Sequence, residues 1–85
     1  MLESVKLALR IKNAAFDEEI QSLIAAALLD LHASGVVLCN PPGELARTAV
    51  MLYAKAHFGF SENQERYKEA YREARAKLKW VGDRM

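Results

Sequence analysis

The sequence has a single cysteine, no long apolar run and almost no excess of charge of either sign. Because Cys39 has no second cysteine to pair with, an intrachain disulfide is excluded, which is typical of a reducing compartment. We expect Cys39 to be a small buried hydrophobe. The longest apolar segments, Leu23–Leu29 and Ala49–Ala54, are too short to span a bilayer. The first residues show no basic segment before an apolar core, so we expect no secretory signal, no membrane partner and assembly in the cytoplasm.

The sequence also lacks the patterns of an enzyme or a metal site. It has no phosphate-binding glycine loop, no metal-ligand spacing of cysteine and histidine, and no nucleophile-elbow motif. His32 and His57 fall on different predicted helices, where a lone histidine is usually structural. Asp17, Glu18 and Glu19 are consecutive and point ~100° apart on a helix, so they do not converge on one substrate. We therefore expect no catalytic residue, no metal and no cofactor.

Length and composition predict one small globular domain over residues 1–85. Hydrophobic residues make up 52% of the chain and charged residues 27%, a composition that argues against disorder. A domain of this length buries only about 60% of its unfolded surface, and many such domains gain stability by oligomerising. The net charge of +1 by itself predicts no nucleic-acid partner. Residues 1–43 nevertheless carry a net charge of −2, and residues 44–85 a net charge of +3.

A strongly helical pattern is centred on Leu45–Phe58. Apolar side chains cover more than half of the circumference of this helix, and the polar residues Glu44, Arg47, Thr48 and Lys55 cluster on the rest. A surface helix normally has a narrower apolar stripe, so we expect this helix to be covered on two or more sides. Gly59 is expected to end it in the left-handed conformation.

Three further helices are predicted around the central one. A short helix over Leu2–Ile11 precedes longer ones over Asn13–Ser34 and about Glu62–Trp80. The fold class is therefore all-α: a compact four-helix domain, with one short and three longer helices around a central apolar helix. The residues of the short helix expected to face the core are Leu2, Val5, Leu9 and, at its margin, Leu7.

Local signals predict where these helices begin and end. Asn13 is a candidate N-cap for the second helix, and Gly35 is expected to stop it. Pro41 and Pro42 interrupt helical structure before the central helix. Ser61 and Gln64 have the spacing of a capping box for the last helix.

The second helix has apolar residues on its outer face as well as on its core face. Ala25, Ala26 and Leu29 lie there between the polar Ser22 and His32. One interpretation is an exposed face of good helix formers, which has no further meaning. The other is a contact with a second subunit, because small size and two-sided apolarity both favour it.

The end of the chain is basic, with seven lysines and arginines between Arg66 and Arg84. A solvated helix face with ion pairs explains this pattern, and so does contact with a phosphate backbone or an acidic partner. Trp80 is either a core residue or an interface anchor. The candidate DNA- or partner-facing residues are Arg66, Lys68, Arg72, Arg75, Lys77 and Lys79.

Three segments, in this order, resemble a known family. They are Leu9-Arg10-Ile11 with the acidic Asp17-Glu18-Glu19-Ile20, then Ala49-Val50-x-Leu52-Tyr53-x-Lys55-Ala56-x-Phe58-Gly59, then Arg66-Tyr67-x-x-Ala70-Tyr71 and a basic tail. Together they cover nearly the whole chain and resemble the small head–tail connector proteins of tailed bacteriophages, which act as head-completion adaptors after DNA packaging.

The resemblance implies a non-enzymatic subunit of a homo-oligomeric ring, dodecameric in the virion. Such a ring docks on the portal protein, meets a tail or stopper protein, and extends the DNA channel with only transient, non-specific contact with genomic DNA. A ring subunit needs two different contact surfaces. Our candidates are Ala25 and Leu29 for one surface and Met51 and Phe58 for the other, with Trp80 as a further anchor.

Two alternatives remain at the level of sequence. One is a small helical DNA-binding or regulatory protein that uses the basic C-terminal helix, and the other is a helical adaptor for an unrelated partner. A regulator would need a recognition helix that presents polar side chains to base edges after a tight turn. The predicted last helix is evenly mixed in charge, which favours the connector.

Overall fold

The computed structural model describes residues 1–38, 42–58 and 63–81. These residues form four α-helices and no strand. The helices are α1 (Leu2–Leu9), α2 (Asp17–Ala33), α3 (Glu44–His57) and α4 (Gln64–Val81). The prediction of an all-α fold with one short and three longer helices is confirmed. None of the helices in the described part of the chain is both long and apolar enough to cross a membrane.

Helix α3 is the centre of the fold and contacts each of the other three helices. Its side chains at Ala46, Ala49, Val50 and Ala54 are fully buried. Because three of these four residues are alanines, neighbouring helices can approach the α3 backbone closely. The position predicted for the central helix is thus confirmed. Gly59, its predicted stop, lies outside the described residues.

Helix α1 ends two residues earlier than predicted, at Leu9. Arg10 adopts the left-handed conformation (φ 60°), with its N–H donating to Leu7 O and the Ile11 N–H donating to Lys6 O at 2.9 Å. These two bonds satisfy carbonyls at the end of the helix. The residue that adopts the left-handed conformation at such an end is usually glycine. The inward orientation expected of Leu7 is wrong, because its side chain is 80% exposed. Leu7 lies ~200° around the helix from the buried Val5.

The start of α2 also differs from the prediction. Asn13 does not cap the helix; its Oδ1 accepts a hydrogen bond from Ala15 N at 3.0 Å and so forms a local turn. Phe16 is the N-cap residue instead, and its carbonyl accepts the first helical bond from Ile20 N. Asp17 in the first turn forms an ion pair of 2.7 Å with the buried Lys6, which ties α1 to α2.

The end of α2 matches the prediction. Gly35 has φ 97°, and Val36 N donates to Leu31 O across this turn at 3.0 Å. Val36 and Leu31 are both buried, so the turn also adds an apolar contact to the core. Of the connector that follows, residues 39–41 are not described, so the expectations for Cys39 and Pro41 lie outside the described residues, as does Ser61 of the expected capping box.

The core lies where α2 and α4 cover α3. Helices α2 and α4 each contribute one apolar stripe at helical spacing. Helix α1 covers the remaining side of the core through Val5. The buried residues of α2 are Ile20, Ile24, Ala27 and Leu31, and those of α4 are Tyr71, Ala74 and Leu78. Phe16, which precedes α2, lies at the edge of the core with 46% of its surface exposed.

Candidate assembly surfaces

The outer face of α2 is exposed along its length. Ala25 and Leu29 both point away from the buried Ile24 and Leu31 on the same helix. Leu29 is 68% exposed, because it lies ~200° around the helix from the buried Ala27 and Leu31. The face flanked by Ser22 and His32 is therefore free to contact another molecule.

The second pair of candidate interface residues is partly used inside the subunit. Met51 and Phe58 both pack against the core cluster and are only partly exposed. The Phe58 ring meets the Phe16 ring edge to face, with 5.5 Å between the centroids. Any contact that these residues make with a neighbour would use only the part of each side chain that remains exposed.

Trp80 is not a core residue. Its side chain is 89% exposed near the end of α4. This excludes one of the two interpretations that the sequence allowed for it. Leu7 and Val37 are also exposed apolar residues, and no signal in the sequence singles them out.

The six basic candidates on α4 do not share one face. Lys68, Arg72, Arg75 and Lys79 are separated by four, three and four residues, so they form one row along the helix. Arg66 and Lys77 lie on a different side of α4, outside this row. We call the first group the basic row.

The basic row borders a groove between α3 and α4. Tyr53 contacts both His57 and Tyr71 there, with ring centroids 4.3 Å and 5.2 Å apart. The residues that line the groove are Tyr53, Ala56, His57, Lys68, Tyr71, Arg72 and Arg75. The groove is thus aromatic at its base and cationic along its rim.

Asp30 closes this region from the side of α2. Its Oδ2 accepts a hydrogen bond from the Tyr71 hydroxyl at 2.5 Å and another from Arg75 Nη1 at 2.9 Å. The Tyr71 hydrogen bond and the Arg75 guanidinium hold the pKa of the Asp30 carboxyl below its ordinary value. Burial and the bond to Asp30 raise the pKa of the Tyr71 hydroxyl above its ordinary value.

The cations of the basic row are therefore not equivalent. Arg75 is engaged by Asp30 within the subunit, and Lys68 lies 3.5 Å from the carboxylate of Glu65. Arg72 and Lys79 are exposed. The contribution of Asp30 is not predicted by the sequence patterns described above; the one signal for it is an acid within an otherwise apolar stretch of α2. Among the described residues, no group of three or more histidine, cysteine, aspartate or glutamate side chains could hold a metal ion.

A family model described as phage connector protein matches residues 1–84. The chain belongs to the phage connector protein family. The comparisons with curated proteins and with solved structures found no match.

Membership of the phage connector family agrees with the sites described above. The family consists of structural proteins of the phage virion rather than enzymes. The segments that carry the family resemblance contain buried or partly buried residues such as Val50, Tyr53 and Tyr71. These motif residues therefore define the connector fold, while the exposed faces of α2 and α4 are left for contacts with other molecules.

Proposed function

We propose that this chain is a head–tail connector subunit that forms a ring on the portal vertex after DNA packaging. The ring, dodecameric in the virion, docks on the portal protein and extends the DNA channel towards a tail or stopper protein. Assembly takes place in the host cytoplasm, and the finished ring stays at the head–tail interface. The observation that carries the proposal is the family match over residues 1–84.

Two structural features support assembly as the function. Leu29 on α2 and Trp80 on α4 expose apolar surface on two different helices, and a ring subunit needs two different contact surfaces. The outer face of α2 around Ala25 and Leu29 is one proposed contact. The exposed parts of Met51 and Phe58, and Trp80, are candidates for the other.

The net charge of +1 fits a channel through which DNA slides. A strongly basic channel would hold the phosphate backbone by counterion release, whereas a near-neutral ring permits only transient, non-specific contact. The alternative of a DNA-binding regulator has less support. In the basic row, Arg75 and Lys68 already pair with acids of the same chain, which leaves few cations for base or phosphate contacts.

A charge on the outer face of α2 tests the proposal. We expect Leu29→Glu to keep its helicity and melting temperature but to fail to form rings with purified portal protein. Leu7→Glu is the matched control, because Leu7 is also exposed and lies on α1, outside the proposed contact. Circular dichroism, sedimentation and negative-stain imaging measure the fold and the assembly.

Two results would count against the proposal. Rings that form equally well with Leu29→Glu would remove this face from the contact. A wild-type protein that forms no ring, alone or with portal protein, would contradict the connector function as a whole.

A further inference from the structure

The end of α1, the last turn of α3 and the start of α4 border a shallow cleft on the surface of the subunit. Its volume is about 360 Å³, and the residues that line it are Ala8, Leu9, Arg10, Lys55, Phe58 and Tyr67. Most of these side chains are apolar or aromatic, two are cationic, and none is acidic. The cleft shares no lining residue with the groove that the basic row borders.

Arg10, at the edge of this cleft, has a backbone conformation that favours glycine. Its φ of 60° lies in the left-handed region, where the Cβ of any other residue crowds the following carbonyl oxygen. In the part of the chain that the structure describes, it is the one residue other than glycine with a positive φ. Residues held in such conformations cluster at binding sites, where the side chain has a use that offsets the strain. The Arg10 side chain is exposed beside the cleft.

The two cations of the cleft have no acidic partner within the subunit. No ion pair among the described residues involves Arg10 or Lys55. The Lys55 ammonium lies 5.4 Å from the centre of the Tyr67 ring, a contact that positions the ammonium and leaves its charge unneutralised. In the basic row, by contrast, Lys68 and Arg75 each pair with a carboxylate of the same chain. The cleft therefore offers two cations to an anionic group from outside.

We propose that this cleft binds an acidic peptide segment of a partner protein. Carboxylates of the segment accept hydrogen bonds from the Arg10 guanidinium and the Lys55 ammonium, and a neighbouring apolar side chain packs against Leu9 and Phe58. The site is complete within one subunit. It therefore goes beyond the ring proposed above and does not require the ring to form.

The lining of the cleft favours a peptide over nucleic acid. Strong binding to a duplex depends on contacts with many phosphates, and two cations supply few of them. Apolar side chains such as Leu9 and Phe58 add nothing to a phosphate contact, whereas a peptide places acidic and apolar side chains next to each other. Charge complementarity and the mixed lining thus both select an acidic peptide that also carries an apolar residue.

A labelled peptide tests the site on the purified chain. The probe is fluorescein-labelled Gly-Glu-Glu-Phe-Glu-Glu-Gly. One control peptide has glutamine in place of every glutamate, and a second has alanine in place of phenylalanine. We expect saturable binding of the probe in fluorescence anisotropy, binding of the glutamine peptide that is at least about tenfold weaker, and a smaller loss with the alanine peptide.

Arg10→Gly removes the arginine side chain and leaves a residue that fits the left-handed conformation. We expect it to bind the probe about tenfold more weakly than the wild type, with a melting temperature that does not fall. Lys55→Gln should weaken binding by a similar factor, while its aliphatic stem still covers Tyr67. Arg72→Gln is the matched control, because it removes the same charge from the basic row and should bind the probe as the wild type does.

Several results would overturn the proposal. They include a probe that does not saturate at millimolar protein, equal binding of the probe and the glutamine peptide, and loss of binding with Arg72→Gln but not with Arg10→Gly. If Arg10→Gly lowers the melting temperature, the argument from its conformation is wrong, and Lys55→Gln then decides whether the cleft binds the probe.

Two other occupants have their own signatures. If Arg10→Gly weakens the binding of a labelled DNA duplex but not of the probe, the occupant is nucleic acid. If it hinders self-assembly in sedimentation but not probe binding, the occupant is a second copy of the chain. Either result would overturn the peptide proposal and leave the ring proposal, which the Leu29→Glu variant tests, unaffected.

Discussion

At the scale of single residues, Asp30 joins two helices that are distant in sequence. Its carboxylate binds both Tyr71 and Arg75 on α4, more than 40 residues further along the chain. The Arg75 guanidinium also lies over the Tyr71 ring, 5.6 Å from its centroid. This network fixes α4 against α2 beside the groove that the basic row borders.

The lowered pKa of Asp30 predicts how stability depends on pH. A carboxyl whose pKa is lower in the folded state stabilises the fold above its unfolded pKa, near 3.8, and loses this contribution as the pH falls further. We expect Asp30→Asn to lower the free energy of unfolding at pH 7 by about 1 kcal/mol, a small value because the carboxylate is partly exposed and screened. Below about pH 3.5 the difference from the wild type should shrink, as urea unfolding at both pH values would measure.

Glu73→Gln is a suitable control, because Glu73 is an exposed acid on α4 outside the network. It should change the free energy of unfolding little at either pH. A difference between Asp30→Asn and the wild type that stayed constant from pH 7 to pH 3 would contradict the role of the ionised carboxylate.

At the scale of helices, periodicity predicted the elements well and their ends less well. The apolar stripes of α2, α3 and α4 gave the correct helices because burial on one side dominates each pattern. The start of α2 was misplaced because Asn13 satisfies a local turn rather than a helix end. The end of α1 was misplaced because Arg10, and not a glycine, adopts the left-handed conformation.

The candidate site was less predictable than the fold. Helical spacing alone places Lys68 and Arg72 on a different side of α4 from Arg66 and Lys77, so the basic row could be predicted from the sequence. The pairing of Arg75 with Asp30 was not, because it depends on how α2 and α4 pack across α3. Exposure of Trp80 likewise depends on which side of α4 meets the core.

Two neighbouring leucines of α2 test the assignment of its faces. Leu31 is fully buried, and Leu29 is mostly exposed. We expect Leu31→Ala to lower the free energy of unfolding by about 2–5 kcal/mol through the cavity it leaves. Leu29→Ala should change it by no more than about 0.5 kcal/mol, as a surface substitution does. Thermal or denaturant unfolding of both variants measures this difference, and the substitution is leucine to alanine in each case.

Leu52→Ala on α3 should fall between these two values, because Leu52 is only partly buried. Equal losses for Leu31→Ala and Leu29→Ala would mean that the two faces of α2 are assigned wrongly.

At the scale of the whole molecule, the proposed function depends on the outward-facing sides of α2 and α4 rather than on a pocket. The core uses one side of α2 and α4, which leaves the Leu29 face of α2 and the basic row of α4 outside the core. Two cations of the basic row, Lys68 and Arg75, pair with acids of the same subunit, so fewer cations remain for DNA. This arrangement suits a channel subunit, since DNA must move through it without being held.

The same arrangement predicts weak DNA binding by the unassembled subunit. At protein concentrations below those needed for assembly, we expect non-specific binding with a Kd of about 10⁻⁴–10⁻⁶ M. With two to four phosphate contacts, affinity should fall roughly 10- to 150-fold between 50 mM and 200 mM salt. Fluorescence anisotropy with a labelled duplex and a scrambled duplex of equal length should give the same curves.

A variant with Arg72→Glu and Lys79→Glu, the two exposed cations of the basic row, provides the control for this measurement. It should reduce the salt dependence by about two phosphate contacts, because two cations of the basic row are lost. A preference for one duplex over its scrambled form that persists at 200 mM salt would require base-edge contacts, which a connector does not need and a regulator does. Such a result would mean that α4 recognises a DNA sequence and does not serve as a subunit contact.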